Sequence, residues 1–262
     1  MSQVIKFIKI RPTDTTVDPK YQRDLDEARA KKIASDFRTD LVGVPVISRR
    51  ANGQLVRIDG QHRLHGAVVS GNDNPTLMEV HDGLTIIEEA ELFLRLNGGR
   101  SAVGAFDKFK ARLVAQEPVA LEIVQTLRKL GLRISKANQR KGIAAVQAVE
   151  SVHRQGRNLE PTARILTSWM DGDGDAYTKP LLKGVSNFLS EFDESVDEAS
   201  FVERLQGHVP NRIEAKLRRA KDAFELSSLD AACTVFRDIY NERRKQGRLQ
   251  FSRSQINSHA AE

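Results

Sequence analysis

Strand-forming sequence is confined to the first 97 residues of this 262-residue chain, and no other feature limits its fold as strongly. Val4-Ile5-Lys6-Phe7-Ile8-Lys9-Ile10 has the alternation and β-branched content of a half-buried strand, stopped by Arg11-Pro12-Thr13-Asp14. Asp24 is placed to cap a helix over 25–37, where Leu25, Ala28, Ile33, Ala34 and Phe37 share a face. Val44–Ser48 and Leu55–Asp59 flank Ala51-Asn52-Gly53-Gln54, whose Asn-Gly pair favours positive φ, so a hairpin is expected. A short helix from Gln61 to Ser70 follows, then a strand at Pro75–His81. Thr85 is positioned to cap a helix over Ile86–Asn97 with Glu88 and Glu89 in its first turns. The order β-α-β-β-α-β-α predicts a compact mixed layer.

Beyond Asn97 the apolar spacing is helical throughout: Val103–Ala115, Ala120–Leu130, Gly142–Gln155, Pro161–Met170, Lys179–Phe192, Ala199–Leu205, Arg212–Phe224 and Ser228–Gly247. The expected class is α+β, with a small α/β domain at 1–97, an all-α domain at 98–252 and a frayed tail at 253–262. No apolar run approaches the roughly 18 residues that span a bilayer. The first residues lack a secretory pattern, so a cytoplasmic protein without a membrane partner is expected. The single cysteine, Cys233, excludes an internal disulfide and a multi-cysteine zinc site. Its apolar neighbours predict a buried helical thiol.

Chemistry concentrates where the second hairpin strand ends. Asp59, Gly60 and a helix starting at Gln61 bring backbone N–H groups and a positive helix end to one corner, which suits a phosphate. Gly60 permits close approach, and His62 and Arg63 can donate to phosphate oxygens. Asp59 can orient a ribose, a metal-bound water or Arg63 itself. Tyr21 could stack on a base or plug the core edge. Glu79 and His81, alternate residues of one strand, could face the pocket as base or ligand, or lie on a solvated face. His62 and His65 are one turn apart, but no third ligand at a recognisable spacing makes a metal site.

Two further patterns are weaker copies of known devices. Asp171-Gly172-Asp173-Gly174-Asp175 has the opening oxygens of a calcium loop. Ala176 and Leu182 then replace the turn glycine and the bidentate glutamate, so a polar interhelical turn is expected. Ile123–Asn138, with Gly131 between apolar stretches, has helix-turn-helix spacing, although ordinary packing explains it as well. The formal net charge is +6, and residues 207–262, with 11 Lys and Arg against 7 Asp and Glu, supply +4 of it. Arg212, Lys216 and Arg219 could form one stripe along a phosphate backbone, with Arg243 and Arg244 beyond, or a solvated helix face.

The corner sequence Asp59-Gly60-Gln61-His62-Arg63 resembles, in its placement, the GERR-type motif of ParB partition proteins and the Cys-His-Arg motif of sulfiredoxins. It is more similar still to the DGQHR and DGHxR variants of ParB-like phage and plasmid proteins, DNA-phosphorothioation regulators and free-serine kinases. Val17-Asp18-Pro19-Lys20-Tyr21-Gln22-Arg23 matches the first polar box of that superfamily, and Pro45-Val46-Ile47-Ser48 its central strand. The resemblance covers about 97 residues. It implies phosphate binding by Gly60, Gln61, His62 and Arg63, with Arg23 as a second cation and Asp59 as the acid of the site. Gln61 stands at the sulfiredoxin cysteine position, so sulfinic-acid reduction is not expected. The ParB glutamate at the second motif position is missing too, a departure from the ParB cytidine-nucleotide switch.

The expected function is that of a ParB-like, DNA-associated protein in which binding or slow hydrolysis of a nucleoside triphosphate with Mg2+, its base left open, controls the helical domain. Homodimerisation is compatible with that reading. The corner also suits a small-molecule phosphotransferase, which needs a carboxylate base, with Asp18, Asp59 and Glu79 as candidates. A ParB-like nuclease and a non-catalytic adaptor with a relic pocket are the remaining alternatives.

Overall fold

A computed structural model describes residues 5–98, 103–156, 158–192, 195–223 and 226–251. Val4 and the tail at 253–262 lie outside the described residues. The chain divides into two compact units, Met1–Leu121 and Glu122–Glu262.

The first unit holds a four-stranded sheet in the order β1-β4-β2-β3, formed by β1 (Ile5–Ile10), β2 (Val46–Arg49), β3 (Leu55–Asp59) and β4 (Thr76–Asp82). β1 and β4 are antiparallel, as are β2 and β3, whereas β2 and β4 run parallel. The β2–β3 hairpin forms as expected. Gly53 at φ +82° donates its N–H to Arg50 O at 2.8 Å, and Arg50 N–H returns to Gln54 O at 2.9 Å.

Four helices complete the unit: α1 (Glu27–Ser35), α2 (Gln61–Val69), α3 (Ile86–Asn97) and α4 (Ala105–Val114). Successive strand residues point to opposite faces, so the neighbours Val46 and Ile47 enter different clusters. Ile47 packs with Ile10, Val42, Leu64, Met78 and Val80. Val46 packs with Tyr21, Ile58, Ala90, Phe93, Val103 and Ala111. α4 therefore shares the core of α3, and the unit continues past Asn97. Thr85 caps α3 as expected, and the side chain of Glu88 returns to the Thr85 backbone to complete a capping box. The cap of α1 is Asp26 instead of Asp24, its Oδ1 accepting from Arg29 N–H at 3.0 Å.

In the second unit the helices α6 (Val146–Arg154), α7 (Leu159–Met170), α8 (Lys179–Phe192), α9 (Glu198–Leu205), α10 (Pro210–Ala223) and α11 (Ser228–Asn241) follow α5 (Pro118–Lys129), which carries the division between units. Phe188 is central, with the rings of Phe201, Phe192, Tyr240 and Phe236 between 4.7 and 6.2 Å away. A two-residue parallel ladder, β5 (Arg133–Ile134) with β6 (Gly142–Ile143), interrupts the helical succession. It delays α6 to Val146 and makes the segment after Gly131 extended, which removes the helix-turn-helix reading of Ile123–Asn138. Cys233 lies buried in α11, where burial, with Glu191 and Asp230 nearby, pushes its thiol up to about 12. Among the described residues no helix is long and apolar enough to cross a membrane.

Candidate functional site

β3 ends at Asp59, Gly60 turns the chain at φ +93°, and α2 begins at Gln61. The left-handed turn is why glycine is needed there. The first residues of α2, whose N–H groups have no partner within the helix, line a cavity of about 320 Å3. Arg23, Asp59, Gly60, Gln61, His62 and Arg63 all line this cavity, joined by Gln22, Arg29, Ile33, Ile58, Phe93 and Asn97. Asp59 and the five residues expected to bind phosphate therefore meet around one space.

The hydrogen bonds of His62 decide its role. The backbone N–H of Asp26 points at Nε2 from 3.1 Å, and because a backbone N–H can only donate, Nε2 must accept. In the neutral ring the proton then sits on Nδ1. Burial, followed by the charges of Arg23 and Arg29, pulls the imidazole down to about 4, so the neutral form prevails near pH 7. The Nη2 group of Arg23 stands 3.4 Å from Nδ1. Two donors thus face one another at the mouth of a helix N-terminus, an arrangement that an anion between them would satisfy.

Arg63 is held on two sides, donating to Asp59 Oδ2 at 2.9 Å and to the carbonyl of Val42. Asp59 therefore orients Arg63, one of the roles its position suggested. Gln61 is nine-tenths buried, and its Oε1 has no hydrogen-bond partner within the described protein. The polar box before α1 is anchored from below. Arg50 bridges Asp18, at 2.7 Å, and the fully buried Glu89, at 2.8 Å through Nε. Gln22 Nε2 donates to Ile58 O at 3.2 Å. These contacts set the backbone from which Arg23 reaches the cavity.

Other expected residues fall elsewhere. Glu79 does not line this cavity; its Oε1 lies 2.7 Å from Nε2 of the buried His81 on the same strand. Tyr21 is fully buried against Phe93, its hydroxyl 3.3 Å from Glu89, so it belongs to the core and not to a stacking platform. His65 faces Glu27 at 3.8 Å and shares no metal cluster with His62; among the described residues no group of three potential ligands occurs. In the acidic loop Asp171 pairs with Arg140 at 2.6 Å, and Asp173 accepts from Asp175 N–H. Arg29 and Asn97 were not anticipated at the site. They come from α1 and α3 without a motif to mark them.

The basic residues of the second unit are only partly grouped. Lys216 and Arg219 line one shallow groove of about 350 Å3 with the acids Asp238 and Glu242, and Lys216 approaches Glu242 at 4.0 Å. Arg212 is exposed outside that groove. Arg244 lies over the Tyr240 ring at 4.0 Å, and the exposed Arg243 takes φ +57°.

No curated protein matches the sequence. Among solved structures, the chain is similar to the C-terminally truncated chromosome-partitioning protein ParB from Caulobacter crescentus complexed to the centromeric parS site. That match has 12% identity and a TM-score of 0.38, over 82% of this chain and 100% of the other. It is also similar to a Pnob8-like ParB-N domain, at 12% identity and a TM-score of 0.40, over 95% of this chain and 98% of that one. A family defined so far without a function, DUF6551, matches residues 18–244. Since that match takes in both units, the chain belongs to the DUF6551 family.

Proposed function

We propose that the corner around Gly60 binds the phosphates of a nucleoside triphosphate, and that the occupied first unit controls association of the helical unit with DNA, in the manner of ParB-like proteins. One observation carries this reading: the Arg23 guanidinium and the Nδ1–H of His62 converge at 3.4 Å in the cavity at the start of α2. A phosphate oxygen accepts from both, and the helix end adds backbone donors. Gln61 Oε1 is a buried acceptor suited to a ligand hydroxyl or amino group. The carboxylate of Asp59 is already paired with Arg63, so Mg2+ would arrive on the phosphates rather than on the acid. DNA association rests on the motif resemblance and on the excess of basic residues near the C-terminus, Arg212, Lys216, Arg219, Arg243 and Arg244 among them.

Binding is favoured over phosphotransfer by the state of the candidate bases. Asp59 is paired with Arg63, Asp18 with Arg50, and Glu79 with His81 away from the cavity.

The test is a calorimetric titration with ATP, CTP, GTP and ADP plus Mg2+, alone and with duplex DNA. One nucleotide should bind, and Arg23→Ala or Arg63→Ala should weaken it about tenfold or more, the usual size of a charge-assisted hydrogen bond. Charge reversal at 212, 216, 219, 243 and 244 should weaken DNA binding and flatten its salt dependence. If no nucleotide binds, the corner is a relic and the reading fails. Turnover abolished by Asp59→Ala, with DNA inert, would favour the phosphotransferase.

A further inference from the structure

A cavity of about 530 Å3 in the second unit lies among α8, α10 and the start of α11, within the size range of small-molecule sites, roughly 300–1,000 Å3. Its walls are mostly carbon, from Pro180, Gly184, Leu217, Leu229, Ala231 and Ala232. Leu229 is half exposed toward this space, an uncovered apolar side chain in the first turn of α11. α8 and α11 can close the floor because residue 184 is glycine; a Cβ there would stand 2.7 Å from the ring of Phe236.

Around these walls stand Lys179, Lys183, Arg218 and Lys221, and none of the four has an ion pair among the described residues. The one acid of the lining, Glu214, accepts the hydroxyl hydrogen bond of Thr178. Long basic side chains lay their methylene stems on apolar surface and keep the charge outermost, which gives an apolar pocket with a cationic rim. A bare phosphate or a DNA backbone would use the rim and leave the apolar walls idle. A neutral apolar molecule would do the reverse.

We propose that this cavity is a second ligand site, independent of the phosphate corner, for a small amphiphilic acid: an aliphatic or aromatic body against Leu217 and Leu229, and one carboxylate or sulfonate held by Lys183, Arg218 and Lys221. Lys179 closes the same rim from the first turn of α8.

The experiment titrates the full chain with 8-anilinonaphthalene-1-sulfonate, which has such a body and charge, and follows its fluorescence. Decanoate should displace the dye, while decanol at equal concentration, inorganic phosphate and duplex DNA should not. Lys183→Glu/Lys221→Glu should weaken dye binding about tenfold or more through loss of the charge contacts, and Leu229→Asp should do so through the wall. Leu229 and both lysines are at least partly exposed, so the folded state should persist, checked by unchanged thermal melting. Dye binding that is absent, or indifferent to both variants, overturns the proposal. Displacement by decanol as strong as by decanoate overturns the anionic half. Displacement by DNA or phosphate but not decanoate assigns the rim to a phosphate backbone and overturns it equally.

Discussion

A Cβ built on Gly60 would stand 2.9 Å from the Cβ of Pro45, so the loop entering β2 is seated directly on the turn that opens α2. Gly60 also sits at φ +93°, where an L side chain is strained whatever the space. Gly60→Ala therefore meets both a contact and a conformational penalty, about 1–3 kcal/mol together by the usual cost of such strain. Urea unfolding should show the loss. Nucleotide titration of the still-folded variant should show weakened binding, because the first N–H groups of α2 move with the turn.

His62 should make stability depend on pH in one direction. Its folded value near 4 lies below the ordinary 6.5. Between the two the unfolded chain takes up a proton that the native state refuses, so stability rises with pH. The contribution is complete above the unfolded value and is lost as pH falls through the window, with a ceiling of about 3 kcal/mol. The urea midpoint should drop from about pH 7 to about pH 4. His62→Asn keeps an acceptor for Asp26 N–H and should flatten that dependence; an unchanged slope would refute the assignment.

Arg50 and Glu89 should be strongly non-additive. Glu89 is fully buried and held by Arg50 and the Tyr21 hydroxyl, whose own ionisation is pushed up by burial and by Glu89. Arg50→Met leaves that carboxylate without its cation and should cost about 3–5 kcal/mol, whereas Arg50→Met/Glu89→Met removes both charges and should recover much of the loss. Additive single and double losses in denaturant unfolding would show the pair to be uncoupled. The same variant should loosen the backbone under Arg23 and weaken nucleotide binding.

What could be read from the sequence was local. The hairpin at Gly53, the Thr85 cap and the strand-glycine-helix corner each depend on neighbours within a few residues. Asp26 rather than Asp24 caps α1, and the Asp26 N–H also meets His62, 36 positions away, a contact that no local pattern encodes. The burial of Tyr21 and Glu89 is likewise long-range. Glu89 fits a first-turn acid on α3 and is also the buried partner of Arg50, 39 positions away. β5 and β6 are two residues each, too short for any periodicity to appear. Arg29 reaches the cavity from an ordinary charged helix face. The corner was visible as a set of residue types, but the proton position on His62 that gives it direction comes only from the fold.

The acidic turn at 171–175 offers the clearest separation of motif from structure. A Cβ on Gly174 would lie 2.5 Å from the backbone nitrogen of Gln139 and 2.9 Å from the carbonyl carbon of Asn138, neither of which can swing aside. This glycine is required by the packing of the turn on the segment before β6, while Asp171 is neutralised by Arg140 and Asp173 caps the following turn. Gly174→Ala should therefore destabilise the chain by about 1–3 kcal/mol, the range for overpacking against a fixed neighbour. Millimolar Ca2+ should leave the melting temperature of the wild type unchanged. A calcium loop would behave otherwise: Ca2+ would raise the melting temperature through linkage, and Asp173→Ala would abolish that rise. Thermal melts of the wild type and both variants, with and without Ca2+, separate the two accounts, because steric packing answers to Gly174 and metal binding to the acids.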